Sequence, residues 1–245
     1  MRRVLFYFNG RPVHSYPAML YTGLVTGVVA GNFAAHTAGL DAFRVYVASL
    51  ILTIPAIGGA RLLYVVSHWT FYRANRAEIW NLNQGGMSQY GGILLAVPLS
   101  IPLLQALDLP FGRFWDVGSF TILVGMIFTR FGCLMNGCCA GRASSMSLAI
   151  HLPNHEGVWE KRIPVQLMEA AWATLLLVVG IRIWTSLPFG GALFVFVAAG
   201  YASGRLVMES LRDNRSPGQL FTIHHAISIF IIVLSVVALA GIRII

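Results

Sequence analysis

DVGSFTILVGMIFTRFGCLMNG, residues 116–137, is the stretch that decides the fold. It is close to the roughly 20 predominantly apolar residues that an α-helix needs to cross a hydrocarbon core about 30 Å thick. Arg130 nevertheless stands inside it. An arginine at the centre of a bilayer costs on the order of 3 kcal/mol on insertion scales, so it needs a partner or an anionic ligand. Arg61 and Arg205 lie in runs of the same kind. A helical membrane protein that keeps several buried guanidinium groups is gathering positive charge for something anionic.

Outward from this stretch, seven apolar runs succeed one another at 17–35, 44–66, 88–107, 116–137, 166–186, 189–208 and 222–242. In lipid every backbone N–H and C=O has to be satisfied within the segment, which leaves the helix as the open-ended solution. The expectation is an all-α integral membrane protein, a bundle of about seven transmembrane helices with a small extramembrane loop region, forming one polytopic domain over 1–245. Gly and Ala recur at close intervals in TGLVTGVVAG (22–31) and FVAAGYASG (196–204), and such residues let helices approach closely. The turn around Ser186–Pro188 is so short that the fifth and sixth spans form an antiparallel hairpin. Two connections are long enough to hold structure, 67–87 and 138–165, and seven spans put both on the face of the N-terminus and of the 209–220 loop. SLAIHL (147–152) alternates as one strand of a short hairpin does. No internal repeat, low-complexity tract or cleavable signal peptide is read in the chain.

Composition agrees. The 245 residues are 57% hydrophobic and 11% charged, with a mean hydropathy of +0.72. Soluble domains run near a quarter charged. The net charge is +8, and of 17 basic residues only Lys161 is a lysine. Guanidinium presents a planar fork that pairs with two phosphate or carboxylate oxygens and stays charged when desolvated. Anionic membrane lipids are therefore expected partners. Nucleic acid is not, because the arginines are scattered between apolar runs. Outside the spans, the N-terminal face holds Arg2, Arg3, Arg11, Arg73, Arg76, Arg142, Lys161, Arg162, Arg212 and Arg215, against Arg44, Arg113, Arg182 and Arg243 on the other. A positive-inside count would put the N-terminus in the cytoplasm. That count loses its meaning where the charges bind substrate. Cys133, Cys138 and Cys139 fall within seven residues, with no C-x-x-C spacing, and read as small packing residues with no metal and no cofactor.

Three constellations carry chemistry. Arg130, Asn136, Gly141 and Arg142 run from inside the fourth span to its surface, where Gly137 and Gly141 free the backbone to bend. Two arginines there bracket a phosphate at headgroup depth. Arg205, Glu209 and Arg212, spaced four and three apart, share one helical face, with Glu209 neutralising one arginine and orienting both. GGMSQYGG (85–92) reads as a glycine-lined loop folded into a cavity, with Tyr90, Gly91 and Gly92 at the site and the phenol as hydrogen-bond donor or proton carrier. Tyr16 precedes the first span and is open to the same reading. The histidines near the surfaces, His36, His68, His151, His155, His224 and His225, are set aside as bases.

GARLLYVV (59–66), GGMSQYGG (85–92), TRFGCLMNGCCAGR (129–142), RIPVQLMEA (162–170) and GRLVMESLR (204–212), in that order, resemble the prolipoprotein diacylglyceryl transferase family. The resemblance runs from SYPAMLYTG (15–23) to the last span. It implies a bacterial inner (cytoplasmic) membrane enzyme with seven spans and its site toward the periplasmic side. Such an enzyme moves the diacylglyceryl group of phosphatidylglycerol onto the lipobox cysteine in a prolipoprotein signal peptide. By match, Arg130 corresponds to the arginine of a signature that begins G-R-x-G-N, with Asn136, Gly141 and Arg142 at its later positions. Arg205, Glu209 and Arg212 match R-x-x-x-E-x-x-R. Tyr16 matches the first-span tyrosine, and Arg61 the arginine of G-A-R-L. For such a transfer Arg130 and Arg205 are expected as the catalytic groups at the phosphate and Tyr90, or a water it positions, as the catalytic group that helps remove the thiol proton, the others contacting substrate. The chain departs from the family at Tyr90, where histidine precedes the paired glycines, at Cys133 and Cys138, for asparagine and glutamate, and at Thr129, for glycine. The alternatives are a diverged homologue with another acceptor and a non-catalytic lipid- or anion-binding membrane protein.

Overall fold

A computed structural model describes residues 3–80, 86–153, 158–213 and 222–241. Gly85 of the glycine motif, and Arg2, Arg215 and Arg243 of the charge count, lie outside the described residues. Among the described residues seven helices are long and apolar enough to cross a membrane: α1 (Ser15–Thr37), α2 (Ala42–Ser67), α4 (Gln89–Ala106), α5 (Phe111–Asn136), α6 (Val165–Ile183), α7 (Ala192–Leu211) and α8 (Ile223–Gly241). All seven expected runs are present. A short helix, α3 (Trp69–Ala74), and a 3-10 turn at Arg76–Trp80 fill the connection after α2.

Two small hairpins flank the bundle. β1 (Val4–Phe8) pairs antiparallel with β2 (Arg11–His14), and β3 (Ile150–Pro153) with β4 (Trp159–Arg162). The second is the one the alternation at 147–152 indicates. The first was not expected, although Asn9-Gly10, at φ +46° and +75°, is the turn dipeptide that a two-residue hairpin favours.

Small residues set the helix pairings. Gly23 and Gly27 of α1 leave no room for a side chain against Gly125 and Thr121 of α5, where an added Cβ would lie 2.9 Å and 2.6 Å from a carbonyl oxygen. In lipid, where apolar burial gives helices no preference for one another, close backbone approach of this kind drives association. Gly59 of α2 and Gly91 of α4 do the same for that pair, each abutting the other's carbonyl. Gly91 and Gly92 are therefore helical residues facing α2, whereas the sequence reads them as lining a loop. Val25, Val29 and Phe33 on α1 and Val233, Val236 and Val237 on α8 are exposed, as lipid-facing side chains are.

One buried carboxylate fixes a helix end. Asp116, near the start of α5, accepts hydrogen bonds from the backbone N–H groups of Gly191 (2.7 Å) and Phe194 (3.0 Å), capping α7. Orphan N–H groups in a helix's first turn need such an acceptor, above all where water is scarce.

Candidate functional site

The end of the bundle at which α5 and α7 finish and α4, α6 and α8 begin is built from charge. Its centre is Glu169, in the first turns of α6 and buried. Arg130 from α5 places Nε 2.5 Å from Glu169 Oε2. Arg205 from α7 donates Nη1 to Oε1 at 2.7 Å. Arg212, just past α7, donates Nη2 to Oε1 at 2.8 Å and to Oε2 at 3.1 Å. Glu209 lies 2.7 Å from Arg205 Nη2 and 3.7 Å from Arg212 Nε. Three guanidinium groups against two carboxylates leave one positive charge in excess. Arg130, Arg205, Glu209 and Arg212 are thus brought together, as their placement in the sequence anticipates. The hub they meet on, Glu169, was missed there. A single acid inside an apolar run is by default a functional-site signal, and that signal stood in RIPVQLMEA.

Arg130 is the least committed of the three. Its side chain keeps 11% of its surface, and among the described residues no hydrogen-bond partner takes its two terminal amino groups.

The polypeptide after α5 closes the site. Asn136 ends the helix, its carbonyl accepting from Arg3 Nε at 3.2 Å, and Gly137 turns left-handed at φ +78°. Gly141 then pairs its backbone with Arg212 and donates its N–H to Ile163 O at 2.9 Å. An added Cβ at Gly141 would meet Ile163 O at 2.7 Å and Leu211 O at 2.9 Å, so only glycine fits. Arg142 donates its N–H to Leu211 O (3.0 Å) and leaves its side chain exposed at the rim. Buried Arg162, also missed, ties this layer to Glu160 (2.8 Å) and Asp213.

The three cysteines converge here. Cys133, in the last turn of α5, is buried, all three are free, and their Sγ atoms lie within 4.8 Å of one another. Hydrogen bonds from Cys133 and Cys138, helped by Arg212 and Arg130, hold the Cys139 thiol well below the usual thiol range against its burial. For Cys138, contact with Cys133 pulls down, but Cys139 and burial push the thiol up to about 11. Half-buried Tyr16 lies within electrostatic reach of the three thiols and of Arg130.

Tyr90 is buried at the start of α4. Its hydroxyl shares a 2.6 Å hydrogen bond with Ser228 of α8. Its ring packs edge-on to Tyr201 (5.8 Å) and lies 6.2 Å from the ring of His224. His224, set aside in the sequence, has a buried Nδ1 with no partner among the described residues. Tyr201 in turn donates to Gln89 at 2.9 Å. Arg61 has a separate setting. Its guanidinium donates to the carbonyls of Ile79 (2.7 Å), Glu78 (2.7 Å) and Gly86 (3.0 Å), and lies over the rings of Tyr72 and Tyr64. The structure places it as the anchor of the connection between α2 and α4, apart from the Glu169 hub.

Fold and site together define a multi-pass membrane protein that keeps a net-positive arginine–glutamate cluster at one end of its helices. The chain belongs to the prolipoprotein diacylglyceryl transferase family, whose model matches residues 3–241. It is similar to the phosphatidylglycerol–prolipoprotein diacylglyceryl transferases of Streptococcus pyogenes serotype M5 (strain Manfredo), serotype M49 (strain NZ131) and serotype M1. Each is 29% identical over 212 residues, 82% of this chain and 80% of the relative.

Proposed function

We propose that this protein is a transferase that moves the diacylglyceryl group of phosphatidylglycerol onto the lipobox cysteine in the signal peptide of a prolipoprotein. The observation that carries the reading is Arg130, whose two terminal amino groups have no hydrogen-bond partner among the described residues, beside a cluster with one excess positive charge. A phosphodiester headgroup is the anion that such a fork suits.

Transfer breaks a glyceryl carbon–oxygen bond and forms a carbon–sulfur bond, and glycerol phosphate leaves with the electron pair. Arg130 stabilises the developing phosphate charge in a dry site, where pre-aimed donors count for most. Arg205 is the second phosphate ligand, steadied by Glu169 and Glu209, with Arg212 completing the frame. Asn136, Gly141 and Arg142 shape the headgroup end. Tyr90 orients the acceptor thiol, and His224 beside it receives the proton, because the thiolate is the attacking species. Gly91 and Gly92 hold α4 against α2 and so fix Tyr90. Tyr16 borders the site, and Arg61 acts on it from a distance, by shaping the connection before α4. Membrane lipids supply the donor laterally.

We place the enzyme in the bacterial cytoplasmic membrane with the Glu169 end toward the periplasmic side, where lipobox thiols emerge. Several arginines on this face are balanced by acids, Arg162 by Glu160 and Asp213 and Arg205 by Glu169 and Glu209, which weakens a positive-inside count. A second acceptor class is favoured by one observation, the replacement of histidine by Tyr90.

Labelled phosphatidylglycerol incubated with a lipobox peptide tests both. Label on the peptide cysteine supports the first reading, label on another nucleophile the second, and lipid bound without turnover refutes transfer. Arg130→Ala is expected to abolish transfer while the protein still inserts. Normal turnover in that variant removes Arg130 from the reaction.

A further inference from the structure

Nothing in the phosphate chemistry uses the three thiols. Their linear spacing, four residues and then none, lacks the C-x-x-C of most zinc sites. The backbone supplies what the spacing does not. α5 ends at Gly137 with φ +78°, and Cys139 is itself left-handed at φ +62°, a conformation uncommon for a residue with a side chain. This reversal brings Cys138 back over the last turn, with its N–H on Cys133 O at 3.1 Å. Gln166 of α6 fastens the loop from the other side, donating to Cys138 O at 2.6 Å. Three sulfurs on two consecutive turns of chain thereby share one pocket within 4.8 Å.

We infer that Cys133, Cys138 and Cys139 bind one zinc ion through three thiolates, leaving its fourth position to the incoming acceptor thiol. Zinc–sulfur bonds of about 2.3 Å in a tetrahedron place sulfurs roughly 3.8 Å apart, so the cluster closes onto the ion by about 1 Å or less. Three protein ligands and one exchangeable position are the pattern of catalytic zinc sites, whereas structural sites are closed with four. Three thiolates and a divalent ion carry one net negative charge. Arg130, three residues before Cys133 on the same helix face, and Arg212, paired with Gly141, supply the compensating field. A thiol that takes the fourth position gives up its proton, as coordinating thiols do, to the His224 imidazole that receives it in the transferase reading. The zinc-held thiolate then attacks the glyceryl carbon, the carbon–oxygen bond breaks, and glycerol phosphate departs with the pair of electrons. The fourth-ligand role rests on the transferase reading; the metal site does not.

The test uses the full chain purified in detergent without chelators. Elemental analysis is expected to give one zinc per chain. Exchange for cobalt(II) is expected to give thiolate-to-cobalt charge-transfer absorption and tetrahedral ligand-field bands. Both are lost in Cys133→Ser/Cys138→Ser/Cys139→Ser. The single variant Cys138→Ser, at a half-exposed position, weakens cobalt affinity at least tenfold with the fold retained. Adding a lipobox peptide shifts the cobalt bands if its thiol is the fourth ligand. Absence of zinc together with no cobalt spectrum overturns the site, as does a Cys133–Cys138 disulfide in protein isolated under air-free conditions. Metal bound with unchanged bands on adding peptide overturns only the fourth-ligand role. Metal bound with shifted bands, but no lipid transfer, keeps the site and refutes the transferase reading.

Discussion

Glu169→Gln is the sharpest perturbation of the arginine cluster, because it keeps the side chain's shape and removes its charge. Glu169 receives contacts at 2.5, 2.7, 2.8 and 3.1 Å from Arg130, Arg205 and Arg212. Without it, three buried guanidinium groups face Glu209 alone. Removing one partner of a buried ion pair costs about 3–5 kcal/mol, since the other charge stays desolvated. The glutamine oxygen still accepts one hydrogen bond, which puts the expected loss near 3 kcal/mol, about two orders of magnitude in the unfolding equilibrium. Reversible unfolding in mixed micelles, followed by tryptophan fluorescence, reads this out. Trp172 lies one turn beyond Glu169 and is held by a 2.9 Å bond to Gly200 O. Adding Arg212→Gln restores the charge balance, so the pair should show a favourable coupling above about 1 kcal/mol. A loss below about 1 kcal/mol for Glu169→Gln, or simple additivity with Arg212→Gln, would refute the hub.

Two further outcomes are expected. Arg61→Met strips three backbone carbonyls of a charged donor, each bond being worth about 1.5–3 kcal/mol, and trypsin should cut at Arg73 and Arg76 at least tenfold faster while helicity is kept. An unchanged cleavage rate would show that the connection is held by something else. Gly141→Ala forces a methyl group onto Ile163 O and Leu211 O, and should separate Arg142 from Arg212. Lipid transfer is expected to fall by more than tenfold, with normal insertion into membranes, and full activity would mean that this strand contact does not shape the site.

How legible all this is in the sequence depends on the physical origin of each part. The spans are fixed by the incompatibility of bare backbone with lipid, a property of composition alone, so all seven are read to within a few residues. The arginines are legible because each is costly where it stands. What they pair with is legible only in part. Glu209 shares a helix with two of them, and spacing reveals it. Glu169 reaches its partners from another helix, and only the three-dimensional crossing of α5, α6 and α7 makes it the centre. Arg61 is the converse case, a buried charge whose described hydrogen bonds go to main-chain carbonyls, which leave no mark on residue type. The glycines at 91–92 punctuate both loops and tight helix contacts, and the contact won. The thiols meet because two residues take left-handed backbone, a choice that Cys139 does not announce.

The cap that Asp116 places on α7 joins two spans that are not neighbours in the chain. The ribosome delivers α5 to the membrane two spans ahead of the segment whose amides this carboxylate receives. Until α7 arrives, an acid in a nascent span has nothing to hold, and it resists leaving water. Secure seating of this end of the fourth span is thereby linked to the later docking of the sixth, whose amides are the described hydrogen-bond donors to this carboxylate.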